Sequence, residues 1–197
     1  MATITLPALF KPSTCSLTAS VNQRMSASPF GGSESVVDLL NDRWLMTCEL
    51  PPALKADGGW REGFIGAMRG QTNVVALYHF ANQVPRGTLR GTLTLNASAA
   101  QGASSVELTG GSPTTGTLLS GDMIGVGGLL LMVSADATAS GGVITVPITN
   151  RLRVAQLSGA AVTWYRPTAL FRMLNTSGVQ YIPGLANPVT FDFGEKI

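Results

Sequence analysis

Thr88-Leu89-Arg90-Gly91-Thr92-Leu93-Thr94-Leu95 decides the fold. Leu89, Gly91, Leu93 and Leu95 fall on one side and Arg90, Thr92 and Thr94 on the other, the period of a half-buried strand. The texture of the chain also changes here. From this point to Tyr165 it is rich in Gly, Ser, Thr and Ala and carries little charge. Short apolar runs at 104–108, 123–128, 129–133, 143–148 and 161–165 are separated by turn signals. Short strands at intervals of roughly ten residues read as a small barrel or sandwich. Gly127-Gly128 suits a two-residue hairpin turn, which needs positive φ at both positions.

Upstream the pattern differs. Pro7 and Pro12 forbid a helix interior, so the first residues read as an extended arm. Leu17, Ala19 and Val21 then alternate with Thr18 and Ser20 in a strand. Ser28-Pro29-Phe30-Gly31-Gly32 is turn chemistry. Strands are expected at 35–39 and 43–50, with Asn41-Asp42 as the turn between them. In the second of these, Trp44, Met46 and Cys48 face one way and Leu45, Thr47 and Glu49 the other. Pro51-Pro52 ends that strand. Asp57 is the expected cap of a short helix whose apolar stripe is Trp60, Phe64, Ala67 and Met68. Gly70 is its expected stop, and a strand at 74–80 follows. Downstream, strands are expected at 168–174, 178–182 and 189–193.

The fold class is therefore mainly β: a β-sandwich platform with one short helix and an inserted small β-barrel or β-sandwich module. The boundaries are 1–88 for the first part of the platform, 89–164 for the module and 165–197 for the platform's completion. Arg86-Gly87 and Arg166-Pro167 mark the two borders. A single continuous β domain is the competing arrangement.

Composition narrows the function. Charged residues make up 12% of the 197, about half the usual value near 25%. Such a surface is either covered by Ser, Thr, Asn and Gly or hidden against neighbouring subunits. The net charge of +2 comes from scattered basic residues, and no Lys/Arg run exists to neutralise a row of phosphates, so no nucleic-acid specificity is expected. The longest apolar run, 123–133, is far short of the roughly 20 residues that span a bilayer. The N-terminus lacks the basic start and apolar core of a signal peptide. These features point to a protein made and kept inside the cell, or built into a particle there. Cys15 and Cys48 are too few for a disulfide scaffold and read as buried thiols; they meet if their two strands pair.

Reaction chemistry is not visible. Gly125-Val126-Gly127-Gly128 lacks the spacing and the following helix of a phosphate loop. Asp122 and Asp136 stand in turn contexts, whereas a glycosidase holds two carboxylates across a sugar. His79 is the only histidine and lies in an apolar strand, where a hydrogen-bonded structural role fits better than catalysis. No metal set and no cofactor are expected. Phe30, Arg43, Trp44, Trp60, Phe64, Phe171 and Arg172 are the structural or interface candidates. Arg43 is placed to stack on Trp60 or to pair with Glu62, and Trp44 to anchor the platform beneath the helix.

In order and spacing, several of these segments resemble the distal tail, or tail-tip adaptor, proteins of tailed bacteriophages. They are Ser28-Pro29-Phe30 with Gly31-Gly32-Ser33-Glu34, Asp42-Arg43-Trp44, Glu49-Leu50-Pro51-Pro52 and the helix ending in Arg69-Gly70. Leu119-Ser120-Gly121-Asp122 and Phe171-Arg172-Met173-Leu174 complete the set. The resemblance implies a non-enzymatic virion protein, made in the bacterial cytoplasm and built into the tail tip. It implies a ring of copies, hexameric, that contacts the tail tube protein and the tail-tip hub and fibre proteins. The Ala/Ser/Gly-rich 134–142 departs from that pattern. A carbohydrate-binding module, a module that grips a receptor-binding protein, and another tail-tube or tail-completion protein are the alternatives.

Overall fold

The computed structural model describes residues 1–28, 31–175 and 178–197. Phe30, one of the interface candidates, lies outside the described residues. The chain opens with β1 (Thr3–Ile4), β2 (Thr14–Ser20), β3 (Gln23–Ala27), β4 (Glu34–Asp38) and β5 (Arg43–Leu50). β6 (Ala53–Leu54) leads into α1 (Lys55–Met68), and β7 (Val74–Tyr78) follows. The middle of the chain supplies β8 (Leu93–Leu95), β9 (Ser105–Thr109), β10 (Thr117–Leu118) and β11 (Met123–Val126). It continues through β12 (Leu129–Met132), β13 (Ala137–Thr138), β14 (Val143–Pro147) and β15 (Ala161–Thr163). β16 (Thr168–Met173), β17 (Tyr181–Ile182), β18 (Leu185–Ala186) and β19 (Val189–Glu195) end it.

The fold is mainly β, with sheets that form sandwich-like layers and one short helix. One six-stranded sheet has the order β1-β7-β16-β19-β5-β2. Only its β1–β7 pair is parallel. The alternation of β5 puts Trp44, Met46, Cys48 and Leu50 into the core and leaves Arg43, Thr47 and Glu49 exposed. A second six-stranded sheet, β12-β11-β15-β8-β9-β14, is antiparallel throughout. Its outer strands are joined where Val133 bridges Ile148, which curls it into a half-barrel. Gly127 and Gly128 have φ of 56° and 81°, so the β11–β12 hairpin has the turn its sequence suits.

Buried apolar side chains gather into two clusters. One is drawn from the second sheet and its loops, from Leu89 to Val162. The other combines the first sheet, Phe10 and the helix with Met123 and Leu130 of β11 and β12. The two layers therefore share a joint. Phe10 is an aromatic hub between the helix and the first sheet, its ring centroid 5.6–6.3 Å from those of Trp60, Phe64, Phe80, Phe191 and Phe193. Such aromatic contacts are worth about 0.5–1.5 kcal/mol each beyond area burial.

Several expectations need correction. Asp57 does not cap the helix: Leu54 holds that position without a side-chain bond, and Asp57 sits inside the first turn. There its negative charge still favours the positive end of the helix dipole. The helix ends at Met68, and Arg69 (φ 47°) takes the left-handed cap conformation before Gly70. Its buried face is Gly58, Arg61, Phe64 and Met68, with Trp60 only half-buried beside it. A Cβ on Gly58 would stand 2.8 Å from Ala186 Cβ, which is why this turn carries no larger side chain. Arg61 is admitted to the apolar face because its guanidinium donates to the carbonyls of Asn187 (3.0 Å) and Pro51 (2.6 Å). β7 stops at Tyr78 rather than residue 80, and the strand expected at 178–182 is only Tyr181–Ile182. β3 lies outside the strands expected from sequence; it pairs with β4 in a two-stranded ribbon that, among the described residues, is bonded to no other sheet.

Candidate assembly interface

The joint between the two large sheets is polar as well as apolar. Trp44, 1% exposed, donates its indole N–H to the Leu130 carbonyl at 2.7 Å. Asn150 donates to the same carbonyl at 2.9 Å. Trp44 thus anchors the first sheet against β12, not beneath the helix. Arg153 reaches across the joint to both carboxylate oxygens of Glu195, which is 4% exposed, and to the Asp42 carbonyl at 2.8 Å. Glu195 also accepts the Trp44 backbone N–H at 3.1 Å. Arg151 pairs with Asp38 at 3.2 Å nearer the surface.

The two crossings between the layers lie side by side. Asp122 is buried and accepts backbone N–H groups from Arg86 (2.7 Å), Gly87 (3.1 Å) and Leu119 (2.8 Å). Its role is that of a turn residue which also fixes the outgoing chain. Asp136 accepts the Ser120 N–H at 2.8 Å. Arg90 donates to the carbonyls of Pro85, Gly87 and Leu89 and lies 5.1 Å over the Trp164 ring. The Arg166 N–H bonds the Gln83 carbonyl at 2.9 Å. Gly87 is required by close approach: a Cβ there would stand 2.1 Å from the Thr117 oxygen and 2.8 Å from Leu118 Cα. Backbone cannot yield cheaply, so Gly87→Ala is expected to cost about 1–3 kcal/mol of stability, read as a lower denaturation midpoint at unchanged m-value.

A cleft of about 530 Å³ opens beside this crossing. Phe10, Lys11, Tyr78, Phe80, Gln83 and Arg166 line it, together with the arm from Leu6 to Ala8 and Pro12. Arg166 has φ of 46°, uncommon for a residue with a Cβ. The conformation is held by its guanidinium, 5.2 Å over Tyr78 and 5.4 Å over Tyr165, and by its bond to Gln83 Oε1 at 2.9 Å. His79 is half-buried beyond the end of β7 and its Nδ1 accepts the Asn82 N–H at 3.0 Å. Burial holds its pKa below the usual imidazole range.

The β3–β4 ribbon exposes a group of apolar side chains. Met25, Val36 and Val37 are 66%, 57% and 53% exposed. Val21 and Leu39 at its base are also exposed. A second exposed apolar group, Leu54, Tyr181, Ile182 and Leu185, lies on the small sheet β17-β18-β6.

The residues singled out from sequence divide by role. Trp44, Phe64 and Phe171 are core. Arg43 neither stacks on Trp60 nor pairs with Glu62: it is exposed at the far end of β5, opposite Ser20. Arg61 is the cation over Trp60, 5.9 Å from its centroid. Arg43 and Arg172 do come together, lining one shallow pocket with Lys196. Sequence reasoning missed Phe10, Arg61, Arg153 and Glu195. The spacing of Arg61 to Phe64 and Met68 carried a signal, since these fall on one helical face. The other three carry no local signal. No protein-family model and no curated protein matches this chain.

Proposed function

We propose that the chain is a structural subunit of a phage tail tip, joined to copies of itself in a ring, hexameric by the resemblance of its segments. In this reading it sits in the virion between the tail tube protein and the hub and fibre proteins. It performs no reaction of its own. The observation that carries the assembly step is the β3–β4 ribbon. A two-stranded ribbon alone is marginally stable in water. Its outer edges offer unpaired N–H and C=O groups that another chain can satisfy. Met25, Val36 and Val37 expose apolar surface that gains free energy only when covered. A second copy supplies a cover that repeats around a closed ring. Arg24 on β3 and Glu34 on β4 give the ribbon both signs of charge with which to set register between copies.

Native mass measurement over a range of concentrations tests this. The wild type is expected as closed rings of one mass. A Met25→Ser, Val36→Thr, Val37→Thr variant is expected as monomer, with stability changed by no more than about 0.5 kcal/mol per exposed site. A wild type that stays monomeric when concentrated, and is absent from purified virions, would sink the proposal.

The cleft beside Arg166 favours a second reading, the gripping of carbohydrate or of a receptor-binding protein. Aromatic faces with a few convergent polar groups are the usual make-up of a ligand site, and Tyr78, Phe80, Gln83 and Arg166 supply them. Saturable binding of a cell-wall glycan, lost in Tyr78→Ala, would make that reading the better one.

A further inference from the structure

Cys15 on β2 and Cys48 on β5 stand directly opposite each other in register. Their Sγ atoms are 3.6 Å apart, the Cys48 thiol donating to Cys15, and both are free. Opposed residues of an antiparallel pair have Cα atoms about 4.5–5.5 Å apart, inside the range of about 4.4–6.8 Å that a disulfide spans. The two sulfurs can therefore bond by side-chain rotation, without moving either strand.

We propose that Cys15 and Cys48 form a dithiol modification site, oxidised reversibly by small-molecule disulfides to a cross-strand link between β2 and β5. The two thiols have unequal parts. Cys48 is fully buried, and Cys15 is half-buried on the edge strand of the sheet. Incoming disulfide thus meets Cys15 first. The hydrogen bond from Cys48 lowers the Cys15 pKa to about 7, and a backbone hydrogen bond at Phe80 adds to this. Donating that same bond raises Cys48, and burial raises it further. Near neutral pH the accessible thiol is the nucleophile and the buried one keeps its proton.

The chemistry balances. The Cys15 thiolate attacks one sulfur of the small disulfide, whose S–S bond breaks and whose other half leaves as a thiol after taking a proton. Cys48 then gives up its proton and attacks Cys15 Sγ. The mixed disulfide breaks and a second small thiol leaves. One small disulfide is reduced to two thiols, and the protein loses two hydrogens. The cysteines lie 33 positions apart in the chain, and the exposed β3–β4 ribbon lies between them. The link closes the base of that segment and fixes the sheet's edge strand in place.

Oxidised glutathione on the full-length chain is the test. After acid quench and alkylation, the wild type is expected to show no free thiol, no retained glutathione and a Cys15–Cys48 linked peptide, all reversed by dithiothreitol. Cys48→Ala is expected to retain one glutathione on Cys15. Cys15→Ser is expected to leave Cys48 unreacted while folded. Phenylarsine oxide, which takes two neighbouring sulfurs, should bind the wild type one to one and neither variant. A folded wild type that keeps both thiols, accumulates a stable glutathione adduct, or links to a second copy overturns the proposal.

Discussion

Trp44→Ala lowers the free energy of unfolding by about 3–5 kcal/mol, the usual loss for truncating a buried aromatic. Trp44 is 1% exposed, so the truncation leaves a cavity where β5 meets β12. The Leu130 carbonyl is not orphaned by the change, since Asn150 still donates to it. The loss is therefore one of packing first and hydrogen bonding second. Trp44→Phe separates the two: it keeps most of the apolar volume and removes the indole donor. Its expected cost is about 1–2 kcal/mol, a partial cavity plus one net hydrogen bond. Urea unfolding of the three proteins reads both steps. A Trp44→Ala protein with wild-type stability that fails to assemble would move Trp44 from the joint to an interface between copies.

Trp44 also shows what could be read from sequence and what could not. Its burial was legible because alternation over 43–50 puts every second residue on one face, and β5 follows that rule without interruption. The β11–β12 hairpin was legible because Gly127-Gly128 can take the positive φ at both positions that a two-residue hairpin turn demands. Helix α1 was legible as an element, and Phe64 and Met68 of its expected stripe are buried, but Trp60 and Ala67 are only half-buried. Arg61 is polar and lies outside the expected stripe, yet two backbone carbonyls accept from its terminal guanidinium nitrogens inside. The β3–β4 ribbon escaped detection for a related reason. Gln23 to Ala27 has no apolar alternation, because neither face of β3 is buried. A strand that packs against nothing leaves no period to find. The parallel β1–β7 pair joins Thr3 to Val74 and Ile4 to Val75, and beside it the Ala2 N–H donates to Asn73 Oδ1 across 71 positions, which no local pattern announces. Glu195 ends β19, two positions beyond the strand expected at 189–193. Its partner Arg153 comes from the other layer, 42 positions away, and nothing local announces the pair.

That pair is where the second large effect is expected. The Arg153 and Glu195 side chains are 11% and 1% exposed. A buried ion pair contributes little net stability as a unit, because desolvating two charges offsets their attraction. Removing one partner is different, since it strands the other charge away from water. Glu195→Gln keeps the shape and an acceptor for the Trp44 N–H, but leaves the Arg153 guanidinium with only neutral oxygens, the Asp42 carbonyl among them. Arg153→Met leaves the carboxylate with one backbone N–H among its observed partners. Each single change is expected to cost about 3–5 kcal/mol. The double variant, Arg153→Met with Glu195→Gln, removes both charges and is expected to recover most of that loss. The double-mutant cycle should accordingly show coupling above the roughly 0.5–3 kcal/mol usual for residues in one network, because two losses of about 3–5 kcal/mol collapse to one small loss. Denaturant unfolding of the four proteins gives the cycle directly. Additive single effects of under about 1 kcal/mol would show that water reaches the pair, as at an ordinary surface salt bridge. In that case the rigidity of the joint would rest chiefly on the packing of Trp44, Met123 and Leu130.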